Sequence, residues 1–254
     1  MKMKRHILHI IFCVVAFLAF SMTVGAVTKD MADAEYKKAN YQQAIKDYEE
    51  LLTHGVSSEL YYNLGNAYYK VDNITRALLN YERASMLDPG NKDIRFNLQF
   101  VRNKTIDKVA DDDEMFFVTW YKSVVNFESV DGWAKISVVS VIMALLLLLV
   151  YLFCEKVSLR KVGFFGSLTF IGCFILSILF AYQQKCFFEN RCGAIVTSPV
   201  VNVKKTPSVG SADEFIIHEG TKVYITDRAM KGWTGIRLPD GREGWILKGK
   251  IEEI

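Results

Sequence analysis

The stretch SELYYNLGNAYYKVDNITRALLNYERASMLDPGN, residues 58–91, decides the fold of the N-terminal part of this chain. Gly65 and Ala77 are small residues at positions where two helices can approach closely, and a larger side chain would push the helices apart. Pro89 follows the second group of apolar residues, where a proline cannot continue a helix. The stretch therefore predicts two short helices that pack tightly against each other.

Eight residues of this stretch have the spacing of a 34-residue repeat: Tyr61, Leu64, Gly65, Tyr68, Ala77, Tyr81, Ala84 and Pro89. The tyrosines and Leu64 are placed to fill the space between the two helices. The stretch thus resembles the tetratricopeptide repeat (TPR). The resemblance implies a helical hairpin that binds other proteins and carries no chemistry of its own.

A second, atypical copy of the repeat lies 33 residues upstream. Six of its residues, Ala32, Ala34, Tyr36, Asn40, Ala44 and Tyr48, correspond to Gly65, Ala67, Tyr69, Asn73, Ala77 and Tyr81. A terminal repeat is expected to be atypical. The segment Asn91–Lys104 then places three apolar residues on one helical face, as in a capping helix or the first helix of a third repeat. We therefore predict an all-α TPR domain over residues 27–108.

The first helix of each TPR hairpin is expected to line a groove that takes a partner protein. Its candidate protein-binding residues are Tyr36, Lys37, Tyr62, Asn66, Tyr69 and Lys70. Asn66 and Lys70 could hold a peptide carboxylate through charge-assisted hydrogen bonds, a use that some TPR domains make of such residues. The alternative is that these residues form ordinary solvated helix surface.

Residues 1–26 have the pattern of a secretory signal peptide. Lys2, Lys4 and Arg5 precede a long apolar run, and Val24-Gly25-Ala26 offers small residues for cleavage before Val27. The apolar run is long for a signal peptide, so an uncleaved anchor is the alternative. In either case the TPR domain is expected to be exported.

Two further apolar runs predict transmembrane helices at residues 134–154 and 162–182. The short connection over residues 155–161 contains Lys156, Arg160 and Lys161, which the positive-inside rule places in the cytoplasm. Both flanking regions are then periplasmic, which agrees with an exported TPR domain. The predicted location is the cytoplasmic (inner) membrane, as a multi-pass protein.

Residues 109–133 are predicted to link the TPR domain to the first span. The acidic run Asp111–Glu114 is interpreted as a solvated spacer, and Met115–Phe127 either lies along the outer membrane surface or forms one more core helix of the TPR domain. Aromatic residues at the ends of the spans fit an interfacial belt: Trp120, Tyr121, Trp133, Tyr182, Phe187 and Phe188.

Residues 183–254 have the alternation and turn spacing of a small β domain. Six strands are predicted: Ala194–Thr197, Val200–Lys204, Phe215–His218, Lys222–Thr226, Trp233–Leu238 and Gly244–Ile246. Pro239-Asp240-Gly241 predicts a tight hairpin turn, because proline presets one backbone angle and glycine supplies a positive φ. The spacing suggests a small β-barrel.

Several motifs of this region resemble the bacterial SH3 (SH3b) domain: Val201-Asn202-Val203-Lys204, Pro207-Ser208, Glu219-Gly220-Thr221-Lys222-Val223, Gly232-Trp233 and Gly241-x-x-Gly244-Trp245-Ile246. The family's usual arginine is Lys204 here. The resemblance implies an SH3-like barrel that binds cell-wall peptide or protein segments. It places a ligand groove at Asn202, Lys204, Tyr224, Trp233 and Trp245, unless the two tryptophans are core residues.

The predicted fold class is a multi-domain membrane protein with all-α TPR hairpins, two transmembrane helices and an all-β SH3-like barrel. This order of segments resembles the BatE family of bacterial aerotolerance operons. The resemblance implies a scaffold in an envelope complex. Its partners would be other Bat proteins, including members with von Willebrand factor A domains, and the SH3 domain could also bind peptidoglycan.

The chain has no candidate catalytic or metal-binding cluster in its sequence, so we predict neither an enzyme nor a cofactor. His54 and His218 lie on different modules without ligand spacing, and the net charge of +3 carries no basic stripe for nucleic acid. Cys186 and Cys192 lie close together on the exported side, where they could form a structural disulfide, remain thiols or act as a redox sensor. Cell-wall sensing and redox sensing are thus the alternatives to a scaffold.

The positive-inside rule predicts that the segments before the first and after the second transmembrane helix both lie in the periplasm. A reporter that is active only outside the cytoplasm, fused after Ile254, should therefore be active. A correctly inserted but inactive fusion would contradict this topology.

Overall fold

A computed structural model describes residues 27–109, 115–189 and 192–254 of the chain. The predicted signal peptide, residues 1–26, lies outside the described residues, as does the acidic run 111–114. The side chains of Phe187 and Phe188, which the sequence assigns to the aromatic belt, lie outside them as well.

The N-terminal region consists of two helical hairpins in succession. Their four helices are α1 (Lys29–Lys37), α2 (Tyr41–His54), α3 (Ser58–Lys70) and α4 (Ile74–Leu87). Each hairpin turns at one residue with a positive φ, Ala39 in the first (62°) and Asp72 in the second (61°). These turn residues are 33 positions apart, as the predicted repeat requires, so the two hairpins share one backbone plan.

The small residues of the repeat allow the helices to pack closely. A Cβ atom added to Gly65 would lie 2.8 Å from the Tyr81 ring, and Ala77 and Ala84 are fully buried on the facing helix. In the first hairpin, Ala32 and Ala44 are buried in the same way. The predicted packing of the repeat is therefore confirmed.

A fifth helix, α5 (Lys92–Arg102), closes the helical array. The side chain of Asn91 caps its first turn by accepting hydrogen bonds from the backbone N–H groups of Asp93 and Ile94. Ile94, Leu98 and Val101 are buried, as expected both for a capping helix and for the first helix of a third repeat, so the choice between the two stays a prediction.

Three helices follow: α6 (Phe116–Val125), α7 (Val130–Phe153) and α8 (Val157–Glu189). By length and composition, α7 and α8 could each cross a membrane, and most of their apolar residues are exposed. Their connection is shorter than the seven residues predicted, because α8 already begins at Val157. Arg160 and Lys161 therefore lie in the first turns of α8, where no residue breaks the helix.

Helix α6 contacts the beginning of α7 and the end of α8 and is not buried in the helical repeats. The backbone carbonyl of Val125 accepts hydrogen bonds from Trp133 Nε1 (2.8 Å) and Gln184 Nε2 (2.7 Å). Phe116 and Trp120 remain exposed, at 84% and 59%. The placement of this segment along the membrane surface stays a prediction.

The C-terminal region is one antiparallel sheet. Its strands are β1 (Gly193–Val196), β2 (Val200–Lys204), β3 (Asp213–His218), β4 (Lys222–Asp227), β5 (Trp233–Arg237), β6 (Glu243–Leu247) and β7 (Ile251–Glu253). The first six correspond to the predicted strands. Strand β7 was not predicted, because it contains only three residues and has no alternating pattern.

The strand order is β3-β2-β6-β5-β4-β1-β7, which leaves β3 and β7 at the edges. Within the described residues no pairing joins these two edges, so the predicted barrel is seen as a sheet and not as a closed barrel. Residues from β1 to β6 nevertheless contribute to a single buried cluster, which shows that the sheet curls around its own core. Gly241 has a φ of 87°, which confirms the predicted turn between β5 and β6.

The packing of Gly65 gives a direct test of the repeat. In Gly65→Leu the new side chain would collide with the Tyr81 ring, so we expect the full chain in neutral detergent to lose about 1–3 kcal/mol of unfolding free energy or more. Gly55→Leu is the matched control, because nothing lies within 4 Å of a Cβ atom at Gly55. Equal denaturation midpoints for the two variants would show that the assigned packing is wrong.

Candidate functional site

The sheet and the helical repeats share a core. Strand β1 is buried on both faces: Ala194 and Val196 belong to the core of the sheet, whereas Ile195 packs into the cluster around α4. Ile254 joins Ile195 in that cluster, next to buried residues of α4 such as Leu78. The sheet therefore docks on the face of α4 that points away from α3.

A buried carboxylate lies at the centre of this interface. The side chain of Glu82 is 4% exposed and accepts hydrogen bonds from Lys222 Nζ (2.8 Å) and Arg102 Nε (3.0 Å). Burial of the Glu82 carboxylate would raise its pKa, but Lys222 and Arg102 outweigh this effect and hold its pKa below the usual range. One acidic group thus joins α4, α5 and β4.

A second carboxylate, Asp107, fixes the chain that leaves α5. Its Oδ2 atom accepts hydrogen bonds from the backbone N–H of His218 (2.7 Å) and from Thr221 Oγ1 (2.6 Å), and its Oδ1 atom lies 2.9 Å from His218 Nδ1. Burial would raise the pKa of Asp107, but the hydrogen bonds from Thr221 and His218 lower it. His218 therefore contributes hydrogen bonds to the interface between the helical repeats and the sheet.

Ion pairs surround the interface. Arg76 and Arg83 of α4 both contact Glu252 of β7, with N–O distances of 2.6 and 3.1 Å. Together these contacts cover the convex side of the second hairpin. The opposite, concave side, which α1, α3 and α5 line, stays open to solvent.

The concave side contains two adjoining cavities. One, of about 220 Å³, is lined by Lys29, Asp33, Tyr36, Lys37, Tyr48, Glu59, Asn63 and Asn66. The other, of about 230 Å³, is lined by Tyr36, Asn66, Tyr69, Lys70, Tyr81, Phe96, Asn97, Phe100 and Val101. Five of the six predicted groove residues thus line these cavities, and Tyr36 and Asn66 belong to both.

The sixth predicted residue, Tyr62, lies beside the cavities and stabilises the groove. Its hydroxyl accepts a hydrogen bond from Asn97 Nδ2 (3.0 Å), and its ring packs against Tyr81 at a centroid distance of 5.9 Å. Asn66 Oδ1 accepts from Tyr81 (2.7 Å) and Asn97 (3.1 Å). These two hydrogen bonds fix the orientation of the Asn66 amide between the two cavities.

Sequence reasoning missed the contribution of α5 to the groove. Phe96 and Phe100 are 70% and 45% exposed, and their rings stack at 6.4 Å. Lys104 donates a hydrogen bond to the Tyr69 hydroxyl (2.8 Å) and lies over the Phe100 ring. The i, i+4 spacing of the two phenylalanines, opposite the buried face of α5, was the signal that could have revealed them.

The predicted groove residues of the sheet lie on its outer face. Trp245 pairs with Lys204 on β2 and with Gly235 on β5, while Trp233 and Tyr224 lie further along the same face. Both tryptophans are half-buried and lie outside the cluster of buried core residues. Asp213 contacts two more of the predicted residues. It accepts a hydrogen bond from Asn202 (3.1 Å) and forms an ion pair with Lys204 (2.5 Å).

The two candidate disulfide residues flank the junction of α8 and β1. Cys186 is half-buried near the end of α8, and Cys192 is exposed just before β1. Residues 190–191 between them lie outside the described residues. Their pairing stays a prediction.

A comparison with protein families supports the helical assignment. A family model described as "Tetratricopeptide repeat" matches residues 58–91, which form the α3–α4 hairpin. No curated protein matches the chain. The chain thus contains a TPR, a repeat that mediates protein–protein interactions and is typically part of a non-enzymatic scaffold.

The buried carboxylate predicts a specific loss of stability. Glu82→Gln would remove the negative charge that Lys222 and Arg102 share. Because these two side chains are 29% and 38% exposed, water compensates part of the loss, and we expect the unfolding free energy to fall by about 1–3 kcal/mol. Chemical denaturation of the full chain in neutral detergent would measure this loss. Glu243→Gln, at an exposed position on β6, is the matched control.

The pH dependence of the unfolding free energy distinguishes the effect of the Glu82 charge from the effect of its packing. Because the pKa of Glu82 is lowered in the folded state, its stabilisation is present above the ordinary value of 4.5 and is lost as the pH falls through the lower folded value. The Glu82→Gln variant should lack this component of the acid-induced loss. An unchanged acid profile would show that Glu82 does not stabilise the interface through its charge.

Proposed function

We propose that this protein is a membrane-held scaffold that binds a segment of a partner protein in the concave groove of its helical repeats. The observation that carries this proposal is the asymmetry of the repeats. The sheet covers the convex side through Ile195, Ile254 and the Glu82 ion pairs, whereas the concave side holds two open cavities. An accessible groove on a rigid support is what peptide recognition requires.

The groove fits an extended peptide that carries aromatic or aliphatic side chains and negative charge. Tyr36, Tyr69 and Phe100 offer apolar contact area, while Lys37 and Lys70 are exposed cations at the rim. The Asn66 amide lies between the two cavities in a fixed orientation. A C-terminal carboxylate or an acidic side chain of the partner would be held by the two lysines.

Anchoring in a membrane is the second part of the proposal. Helices α7 and α8 are long and apolar enough to span a bilayer, and α6 exposes an apolar face at their end. The order of the segments supports the finer assignment suggested by the BatE family: a periplasmic SH3-like module beside the TPR domain. Its partners would be envelope proteins of the aerotolerance (Bat) complex, including those with von Willebrand factor A domains.

The groove itself determines which variants test the proposal cleanly. Tyr62 and Asn66 take part in hydrogen bonds with Asn97 and Tyr81, so replacing them would also disturb the repeat core. Lys37 and Lys70 are exposed in the last turns of α1 and α3, where the favourable interaction of each cation with the helix dipole is worth only about 0.3–1 kcal/mol. These two lysines are therefore the residues to change.

The double variant Lys37→Gln with Lys70→Gln should weaken partner binding while the full chain still unfolds cooperatively, with a loss of at most about 2 kcal/mol from the two helix C-termini. The measurement is recovery of envelope proteins that co-purify with the full chain from native membranes. Lys46→Gln with Lys231→Gln is the control, since both lysines are exposed on other surfaces. If the groove variant recovers the same partners as the parent, the concave face is not the docking surface.

The outer face of the sheet supports a second candidate, binding of a cell-wall ligand. Trp233 and Trp245 are half-buried on that face beside the exposed Leu247, and aromatic residues of this kind often form ligand platforms. Retention of the full chain on isolated sacculi, abolished by Trp245→Ala in a variant that still unfolds cooperatively, would favour this function. A redox role would require the Cys186–Cys192 pair to change state with oxygen.

A further inference from the structure

Helix α6 exposes four aromatic side chains, which we call its aromatic face. Phe116, Phe117 and Trp120 lie on one side of the helix because of their spacing, and they are 84%, 63% and 59% exposed. Phe127, just beyond the end of the helix, is exposed as well. Contiguous apolar patches on a protein surface mark sites that contact a partner protein or a membrane.

The opposite side of α6 faces the helical repeats. Val125 is buried and lines a cavity whose other walls include Pro89 and Leu98. A Cβ atom added to Gly90 would lie 2.4 Å from the Phe127 carbonyl oxygen, so the backbone at the end of α6 packs against the connection between α4 and α5. The helical repeats therefore lie on one side of α6, and the aromatic face points away from them.

Hydrogen bonds fix α6 against the beginning of α7 and the end of α8. The carbonyl of Val125 accepts from Trp133 and Gln184, and Gln184 also donates to the carbonyl of Glu128 (2.8 Å). The side chain of Gln184 is buried, so these bonds do not compete with water. Helix α6 would have to break them to turn its aromatic face towards the protein.

The contacts with α8 define the level of α6 along the apolar helices. The Tyr121 ring packs against Phe180 at a centroid distance of 6.3 Å, and its hydroxyl donates a hydrogen bond to Gln183. Phe180 belongs to the apolar run of residues 162–182, and Gln183 is the first residue after that run. Trp133 packs against Phe180 from α7 (5.0 Å). Helix α6 thus meets α8 where the apolar run ends.

We propose that α6 is an interfacial helix whose aromatic face binds the boundary between the headgroups and the acyl chains of a bilayer. Lipid is the occupant that fits, because the face lies at the level of exposed apolar residues of α8 such as Leu179, which the same bilayer would cover. The four aromatic residues carry no charge, so this contact needs no anionic lipid.

The inference rests on the membrane placement that the proposed function gives to α7 and α8. It adds a contact that holds the helical repeats at a fixed distance from the bilayer, since α6 packs against them on its other side. It is independent of partner binding in the concave groove.

The test places a nitroxide label on either side of α6 in the full chain, with its native cysteines replaced, in vesicles of phosphatidylcholine. Phe117→Cys lies on the aromatic face, and Thr119→Cys is exposed on nearly the opposite side of the helix. Electron paramagnetic resonance compares the access of each label to oxygen, which concentrates in the bilayer, and to a water-soluble nickel complex. The Phe117 label should lie roughly 5–10 Å inside the boundary, whereas the Thr119 label should be accessible to nickel.

A label at Leu176→Cys, an exposed position within the apolar run of α8, reports the membrane placement separately. A Leu176 label in the bilayer with a Phe117 label in water would overturn the inference for α6 alone. A Leu176 label that is accessible to nickel would contradict the membrane placement as well. A Phe117 label shielded from both reagents would show that protein covers the face, and loss of this shielding at a high lipid-to-protein ratio would identify that protein as a second copy. Either result would also overturn the inference.

Discussion

The structure depends on one short strand that is buried from both sides. In β1, Ala194 and Val196 point into the curled sheet, and Ile195 between them points into the core that α4 shares with α5. Both faces of β1 are buried only when the sheet and the helical repeats pack against it together. With either one missing, one face of the strand would expose apolar surface to water. The helical repeats and the sheet therefore fold against each other as one unit.

This constraint explains why a short helical array can be stable. Two hairpins and one further helix bury a small core, and the described array gains further buried surface from Ile195 and Ile254. Glu82, Asp107 and Glu252 then fix the orientation of the sheet through charged contacts that tolerate little rotation. The same docking leaves the concave groove open.

The local elements could be predicted from sequence because each depends on short-range patterns. Gly65, Ala77 and Pro89 specified the hairpin, the apolar runs specified α7 and α8, and Pro239-Asp240-Gly241 specified the turn between β5 and β6. Five of the six predicted groove residues line the two cavities, because the repeat places the same face of its first helix on one side of the array. Their role in binding stays a prediction.

The contacts between modules could not be predicted in this way. In the sequence, Ile195 has the pattern of any strand residue. Nothing near Glu82 in the sequence indicates that Lys222, 140 positions away, forms an ion pair with it. His218 and Asp107 are likewise joined only by the fold. The contribution of Phe96 and Phe100 to the groove was missed because the apolar residues on the buried face of α5 dominate its pattern.

The helical repeats and the sheet form one docked unit through β1. The most direct test is the distance distribution between spin labels at Lys46→Cys on α2 and Glu243→Cys on β6, in a full chain whose native cysteines are replaced. Both positions are exposed, so the labels should not disturb either core. A docked unit predicts one narrow distribution in detergent and in lipid bilayers. A broad distribution, as expected for two modules joined only by α6–α8 and residues 103–115, would contradict a docked unit.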